Sequence, residues 1–547
     1  MKVIIIGGVA GGMSAATRLR RLDESVEITV LERSSHVSYA NCGLPYFVGG
    51  VIEDEETLLL QTPESLRARF RLDVRICTEA LSIDAGAKTV RVRDLTTGVE
   101  YSLDYDKLIL SPGASAVVPA LAGIDRAFTL RTVEDVERIV VRVEERPRNA
   151  VVIGGGFIGV EVAENLAQRG IRTAIVEATP QLLAPLDPEM ATLVAEEMQT
   201  HGVSLYLDQT VEALGADSVR LAGGRLVAAD LVILAIGVRP DVSLAKAAGV
   251  EVGPRGGVLV DDFNRTSDPS IYAIGDAAEK HDSLDASATL VPLANIANRQ
   301  GRVVADHISG RKVRAVPTIG TAIVKVFDLV VATTGWNEKR LIGAGREFLA
   351  IHTHPSSHAS YYPDAKPMAL KLLIAPATGA ILGAQGVGAE GVDKRIDVIA
   401  TAIRGGITAP ELADLELAYA PPFGSAKDPV NMLGYIAENR LTHLSETVQW
   451  SQVRPCQDSG YLVLDVRSDE EFAQGAVPDA LSIPLDELRD RLDEIPTKEL
   501  LVTCQVGQRG HVATLLLNEM GFHAFNLDGG YETWSHSPAA VLGQLVR

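Results

Sequence analysis

An apolar strand, a glycine-rich turn and a helix of small residues occur in that order twice in this chain. The first copy is "KVIIIGGVAGGMSAATRLRRL", followed by "VEITVLER", a strand that closes at Glu32; the second is "NAVVIGGGFIGVEVAENLAQRGIRTAIVEATPQLL", closing at Glu177. A short continuous apolar run bounded by glycines reads as a strand covered on both faces, and the helical stretch after it makes each copy a βαβ unit. The helix N-terminus behind such a turn faces a pyrophosphate, and a carboxylate about 20 to 25 residues on accepts ribose hydroxyls. A single glycine-rich turn is also compatible with an unrelated α/β protein, particularly as Val9 stands at the middle glycine position of the first copy. Repetition of the whole unit argues for two bound dinucleotides.

In the first copy Gly7 is expected to permit the tight turn and Gly12 the close packing of helix on strand, with Gly8, Ala10 and Gly11 completing the phosphate-facing loop. The second copy carries all three glycines, Gly154, Gly156 and Gly159. Each copy has its own later strand and turn, "YDKLILSPGASAVVP" with Pro112 and Gly113, and "ADLVILAIGVRP" with Gly237. "SDPSIYAIGDAAE" adds a buried strand ending at Asp276. Together these segments resemble the pyridine nucleotide-disulfide oxidoreductases.

That resemblance implies an α/β protein with two Rossmann-like domains, for FAD and NAD(P)H, and an α+β dimerisation domain beginning near "TIGTAIVKVFDLVVATTG". FAD falls to residues 1–117 and 250–315, with Asp276 at its ribityl and phosphate; NAD(P)H falls to residues 118–249, and dimerisation to 316–440. Glu177 favours NADH, because a carboxylate bonds the adenosine 2′-hydroxyl but repels a 2′-phosphate. Neighbouring arginines such as Arg172 leave NADPH open.

Composition narrows the function classes. The 547 residues carry a formal net charge of -20 and are 46 % hydrophobic and 5 % aromatic, which fits globular α/β material of several domains and opposes nucleic acid or an anionic membrane as main partner. An anionic ligand then needs a local basic pocket. Cys42, Cys77, Cys456 and Cys504 lie far apart, with neither metal-type spacing nor a disulfide framework, which fits a reducing compartment. No apolar run approaches the roughly 20 residues of a membrane span, and "MKVIIIGG" is too soon broken for a signal peptide. The expectation is a cytoplasmic protein with no metal site.

Cys42 lies in "SYANCGLPY", among polar Ser38 and Asn41, with no second cysteine shortly downstream. A thiol there can be a buried small hydrophobe, a metal ligand, half of a redox pair or a nucleophile. With no partner nearby, an active Cys42 must cycle between thiolate and a mixed disulfide, persulfide or sulfenic acid. "NCGLPY" resembles both the coenzyme A-disulfide reductases and the water-forming or peroxide-reducing NADH enzymes, each of which uses one cysteine. "HPSSHASYYPDA" and "LAYAPPFGSAKDPVNM" resemble the former, which implies that Tyr361, or the adjacent Tyr362, and Tyr419 reach the reacting sulfur from the partner of a homodimer. Coenzyme A brings several phosphates; Arg18 and Arg21, at helical spacing, and Lys427 are the candidate cations, with Asn298 a polar neighbour.

Residues 441–455, "LTHLSETVQWSQVRP", read as a polar linker into a separable C-terminal domain, 456–547. There "DVR", "EF", "CQVGQRG" and "LDGGYETW" resemble, in order, the rhodanese domain, another α/β fold. Cys504 opens a loop in which Gly507 and Gly510 let backbone N–H groups turn inward and Arg509 adds charge, a cradle for a thiolate and then a persulfide. Asp465 and Arg467 are expected to fix the loop, and Cys77 and Cys456 to be structural. The joint resemblance is to coenzyme A-disulfide reductases fused to rhodanese. It implies that electrons pass from NADH through FAD to Cys42, which reduces coenzyme A persulfide, polysulfide or coenzyme A disulfide while Cys504 delivers sulfane sulfur. Two alternatives stand beside it: an NADH oxidase or peroxidase working through a Cys42 sulfenic acid, and a sulfurtransferase whose flavin half senses redox state.

Overall fold

The strand Lys2–Ile6 lies at the centre of a parallel five-stranded sheet, between Glu27–Leu31 and Lys107–Leu110, with Asp73–Arg75 and Ile271–Ala273 at the edges. The computed structural model describes residues 1–540, so residues 541–547 of the expected rhodanese span lie outside the described residues. The second glycine-rich unit repeats this order: Asn149–Ile153 is central, between Arg172–Val176 and Leu231–Leu234, with Ser204–Tyr206 and Ala127–Phe128 outermost, all parallel. Both central strands are apolar on both faces because both are covered: Ile5 packs with Met13 and Val304 of helices while Ile4 packs with Val90 and Val92 of an antiparallel sheet, and in the second glycine-rich unit Val151 packs with Val219 and Val227 of another. Each sheet is accompanied by a three-stranded antiparallel sheet, within residues 78–104 and 211–228 respectively. These elements form one compact unit, Met1–Pro180 with Gly202–Ile319.

The second unit comprises Gln181–His201 and the chain from Gly320 onward. An antiparallel sheet orders Ala322–Val326, Leu329–Gly335, Ile381–Gly388, Met368–Ile374 and Leu349–Thr353. Its apolar face packs on helices Val392–Gly405 and Pro429–Leu441 through Ile396, Ile399, Val430 and Leu433. A further parallel sheet runs Thr447–Val448, His523–Leu527, Glu499–Thr503, Leu462–Asp465 and Leu481–Ser482.

Two features of this unit differ from the sequence reading. Residues 181–201, inside the span read as nicotinamide-binding, join the second unit, because Asp187 exchanges hydrogen bonds with Gln385 at 2.7 and 2.6 Å. Residues 441–455, read as linker, supply the edge strand Thr447–Val448 and a short turn in which Gln449 and Gln452 cap each other. The segment therefore buries backbone groups in the sheet instead of leaving them in water. Among the described residues no helix is long and apolar enough to cross a membrane.

Candidate functional site

Both glycine-rich turns have the same steric logic. Gly7 and Gly154 adopt φ of +98° and +110°, a region open to glycine, and a Cβ on Gly12 or Gly159 would come within 1.9 Å of the carbonyl oxygen of Gly7 or Gly154. A Cβ on Gly156 would meet nothing within 4 Å.

The two carboxylates brace these turns. Glu32 accepts hydrogen bonds from the backbone N–H of Gly8 at 2.8 Å and Ser34 at 2.9 Å; Glu177 accepts from Gly155 at 2.6 Å and Thr179 at 2.8 Å. A carboxylate has about four lone-pair sites, so each retains capacity for ribose hydroxyls. Asp276 sits in the turn Gly275–Ala277 after the strand Ile271–Ala273, paired with Arg131 at 3.2 Å, while Gln300 accepts from Gly275 N–H at 2.9 Å. Arg131 and Gln300 carried no signal in the sequence, since neither lies in a motif. Glycines too close to neighbours for a side chain, free helix N–H groups and spare carboxylate acceptors form cradles that fit FAD and a pyridine dinucleotide.

Cys42 occupies a single turn, Asn41–Gly43, directly before the helix Leu44–Gly49, and is exposed. Its thiol lies 3.8 Å from Asn41 Oδ1. Ser38, at φ 51°, donates its N–H to Gly8 carbonyl at 2.8 Å and so ties this loop to the first glycine turn. One helical turn beyond Cys42, Tyr46 donates to Glu161 Oε1 at 3.3 Å. Burial pushes the Glu161 carboxyl up to about 7. Cys42 is also raised, first by partial burial and then by the Glu161 and Asp276 carboxylates, with Arg131 opposing. Sequence reading passed over Glu161, although a carboxylate two residues after Gly159 on an otherwise apolar helix start was the available signal.

On the helix Ala10–Leu22, Arg18 is committed to Asp306 at 2.7 Å, while Arg21 is exposed and reaches Thr17 at 3.4 Å. Arg302 and Arg311 also approach buried Asp306, at 4.0 and 3.7 Å, and Ser14 donates to Asn298 at 2.7 Å. Three guanidinium groups around one carboxylate leave a net positive patch, in which Arg302 and Arg311 join the residues read from sequence.

In the second unit Tyr361 and Tyr419 stand exposed with their phenol oxygens 2.8 Å apart; Tyr362, also exposed, makes a T-shaped contact with the His358 ring. Their loops are joined by Ala359 N–H donating to Gly424 carbonyl at 2.9 Å, and by buried Arg395, which donates to Ser357 carbonyl and to Asp428, each at 3.0 Å. Lys427, next to Asp428, is exposed.

Cys504 is fully buried after the strand Glu499–Thr503, and Gly507, at φ +87°, begins the turn into the helix Gln508–Glu519. Gly510 packs so tightly that its Cβ would come within 2.3 Å of Asn526 Oδ1. Arg509 spends its guanidinium on Glu471, at 2.7 and 2.6 Å, which offsets the charge it offers the loop. Asp465 and Arg467 form a buried pair at 2.7 Å; Arg467 also donates to Gln505 in the loop and lies over the Tyr531 ring. Cys77 and Cys456 are partly buried free thiols.

Comparison with known proteins matches residues 1–301 to the pyridine nucleotide-disulphide oxidoreductase model, 321–429 to that family's dimerisation domain and 451–537 to a rhodanese-like domain. The chain is 34% identical over 440 residues to a Staphylococcus aureus protein named coenzyme A disulfide reductase, covering 80% of this chain and 100% of that one. It is similar to the crystal structure of a reduced Bacillus anthracis protein described as CoADR-RHD, with 48% identity, 98% of each chain covered and a TM-score of 0.96. A structure described as an NAD-dependent persulfide reductase from A. fulgidus is 37% identical over 98% of this chain and 100% of that one, with a TM-score of 0.93.

Proposed function

We propose that this chain, which belongs to the pyridine nucleotide-disulphide oxidoreductases and is a flavin-dependent oxidoreductase with a rhodanese domain, reduces coenzyme A persulfide, polysulfide or coenzyme A disulfide at Cys42 with NADH. The observation that carries this reading is the exposed, unpaired Cys42 in a loop tied to the first dinucleotide cradle, in a chain whose second loop cysteine, Cys504, has a cradle of its own. The relatives' names support the substrate class.

Cys42 thiolate attacks one sulfur of a disulfide, forming a mixed disulfide and expelling the other sulfur as a thiolate; on a persulfide the expelled group is sulfide or the coenzyme thiolate. FAD, when bound, supplies the two electrons, drawn from NADH, that restore the thiol. Glu161, titrating near neutrality beside Tyr46, holds or accepts the Cys42 proton. Tyr361 and Tyr419 of the partner protomer in a homodimer donate hydrogen bonds to the leaving sulfur. The arginines around Asp306 hold the phosphates. Cys504 takes sulfane sulfur from a donor, which departs with the bonding electron pair, and passes it as a persulfide to coenzyme A or Cys42.

NADH oxidation measured side by side with coenzyme A persulfide, coenzyme A disulfide, polysulfide and oxygen tests the reading. Turnover with the sulfur substrates exceeding that with oxygen is expected. Oxygen as the preferred acceptor would return Cys42 to sulfenic acid chemistry.

A further inference from the structure

A buried ion network that the reductive chemistry does not use joins the dimerisation sheet to the rhodanese loop. Lys371, wholly buried on the strand Met368–Ile374, reaches Glu189 at 2.5 Å, Glu338 at 2.6 Å and Asp187 at 2.9 Å. Three carboxylates so close have the makings of a cation site, and the ammonium of Lys371 is the cation they hold. Glu189 continues to His352 on the neighbouring strand Leu349–Thr353, at 2.9 Å from Nε2. The other ring nitrogen, Nδ1, lies 2.6 Å from Asp528 Oδ2, and His352 N–H donates to the same oxygen at 3.0 Å.

A carboxylate only accepts hydrogen bonds, so a ring lying between two of them uses both nitrogens as donors, which only the imidazolium does. Although burial opposes the charge, Asp528 and Glu189 prevail and raise His352 to about 9. The remaining facing groups are Lys371, behind Glu189; Gln449, which donates to Asp528 at 3.2 Å; and His354, kept neutral by burial and bonded to Thr533 at 2.7 Å.

Asp528 opens the segment that roofs the Cys504 loop. Gly529 is so close that its Cβ would come within 2.8 Å of His352 Cβ, and a Cβ on Gly530 would lie 2.4 Å from Cys504 carbonyl oxygen. Tyr531 N–H donates to Cys504 carbonyl at 2.7 Å, and Glu532 N–H to Gln505 carbonyl at 2.9 Å.

We propose that His352 is a positioning residue for sulfur transfer at Cys504: its imidazolium, bonded to Glu189 and Asp528, fixes residues 528–532, whose backbone holds the Cys504 loop in its reactive shape. The inference rests on the reading of Cys504 as a sulfur carrier. His352 touches no reacting atom and stands apart from the Cys42 chemistry. A folded pKa above the unfolded value means that the latch is complete below about pH 6.5 and is lost as pH rises through about 9.

The test uses full-length holoenzyme and sodium tetrasulfide, following the rate of Cys504 persulfidation by mass spectrometry in parental, His352→Gln and Asp528→Asn proteins. At pH 7 each variant should lose about 10-fold or more, the scale expected of a misplaced reactive group, while NADH-dependent reduction of coenzyme A disulfide changes less than about 2-fold. The ratio of parental to variant rate should fall towards one above about pH 9, which a merely structural role does not predict. Amide exchange in the unmodified chain reads the latch without a variant. Protection over 528–532, corrected for intrinsic exchange, should drop through the same pH range while the strand Glu499–Thr503 keeps its own. Parental-rate persulfidation in both variants, equal losses at Cys504 and Cys42, or pH-independent protection of 528–532 would each overturn the inference. If parental Cys504 forms no persulfide at all, the sulfur-carrier reading itself fails and takes this inference with it.

Discussion

The phenol oxygens of Tyr361 and Tyr419 lie 2.8 Å apart although the residues belong to different loops, and both rings are exposed. Two hydroxyls at that distance share one proton donor position, so one phenol can donate outward while accepting from the other. Their hydrogen bond raises Tyr361 above the ordinary phenol range, so its phenol stays protonated at neutral pH.

If the pair donates to a leaving thiolate as a unit, Tyr361→Phe and Tyr419→Phe should each lower kcat for coenzyme A disulfide by about 10- to 100-fold, and the double variant little further. Steady-state kinetics of the three variants read this directly. Additive losses would mean that the phenols act separately.

Glu161 makes a prediction of opposite sign to a simple loss of function. Its carboxylate disfavours the neighbouring Cys42 thiolate, and it ionises near pH 7. Removing that charge in Glu161→Gln should lower the Cys42 pKa and speed its alkylation by iodoacetamide above pH 7, where parental Glu161 is ionised. Turnover should fall despite the more reactive thiol, because the proton acceptor is gone. An unchanged alkylation profile would remove Glu161 from the Cys42 environment.

Glu177 is both a brace and a selector. Glu177→Ala should move the kcat/KM ratio from NADH towards NADPH by about 10-fold, the effect of removing repulsion worth about 1.4 kcal/mol. Lost bonds to Gly155 and Thr179 should also raise KM for both nucleotides. An unaltered ratio would show that another residue reads the ribose.

Cys42→Ser and Cys504→Ala should separate the two halves of the reaction. The first should keep FAD bound and keep sulfur loading of Cys504, yet stop NADH oxidation with sulfur substrates. The second should leave reduction of preformed coenzyme A persulfide within about 2-fold and impair only turnover that starts from a donor Cys42 cannot use. Parental donor-dependent rates in Cys504→Ala would exclude the relay.

Much of the fold was legible because the information is local. Gly7 with Gly12 and Gly154 with Gly159 announce their turns within a few residues, the strand and helix periods flank them, and Glu32 and Glu177 end the strands that follow. Cys42 and Cys504 stood out for the same reason: each sits in a short polar or glycine-bearing loop after a recognisable strand. The rhodanese segments kept their order along the chain, so the two kinds of sheet were readable without coordinates.

What only the tertiary structure decided are relations between residues distant in sequence. Nothing near Glu161 indicates that it meets Tyr46, and nothing near Asp306 indicates that it gathers Arg18, Arg302 and Arg311. The helix Pro188–Thr200 reads as part of its neighbours in sequence, yet Glu189 is buried against Lys371 and His352. A buried charge must find its opposite wherever the fold brings one, because leaving it unpaired costs more than any local preference supplies. Local sequence therefore determined the turns, strands and reactive thiols, and burial of charge among them determined which residues became partners.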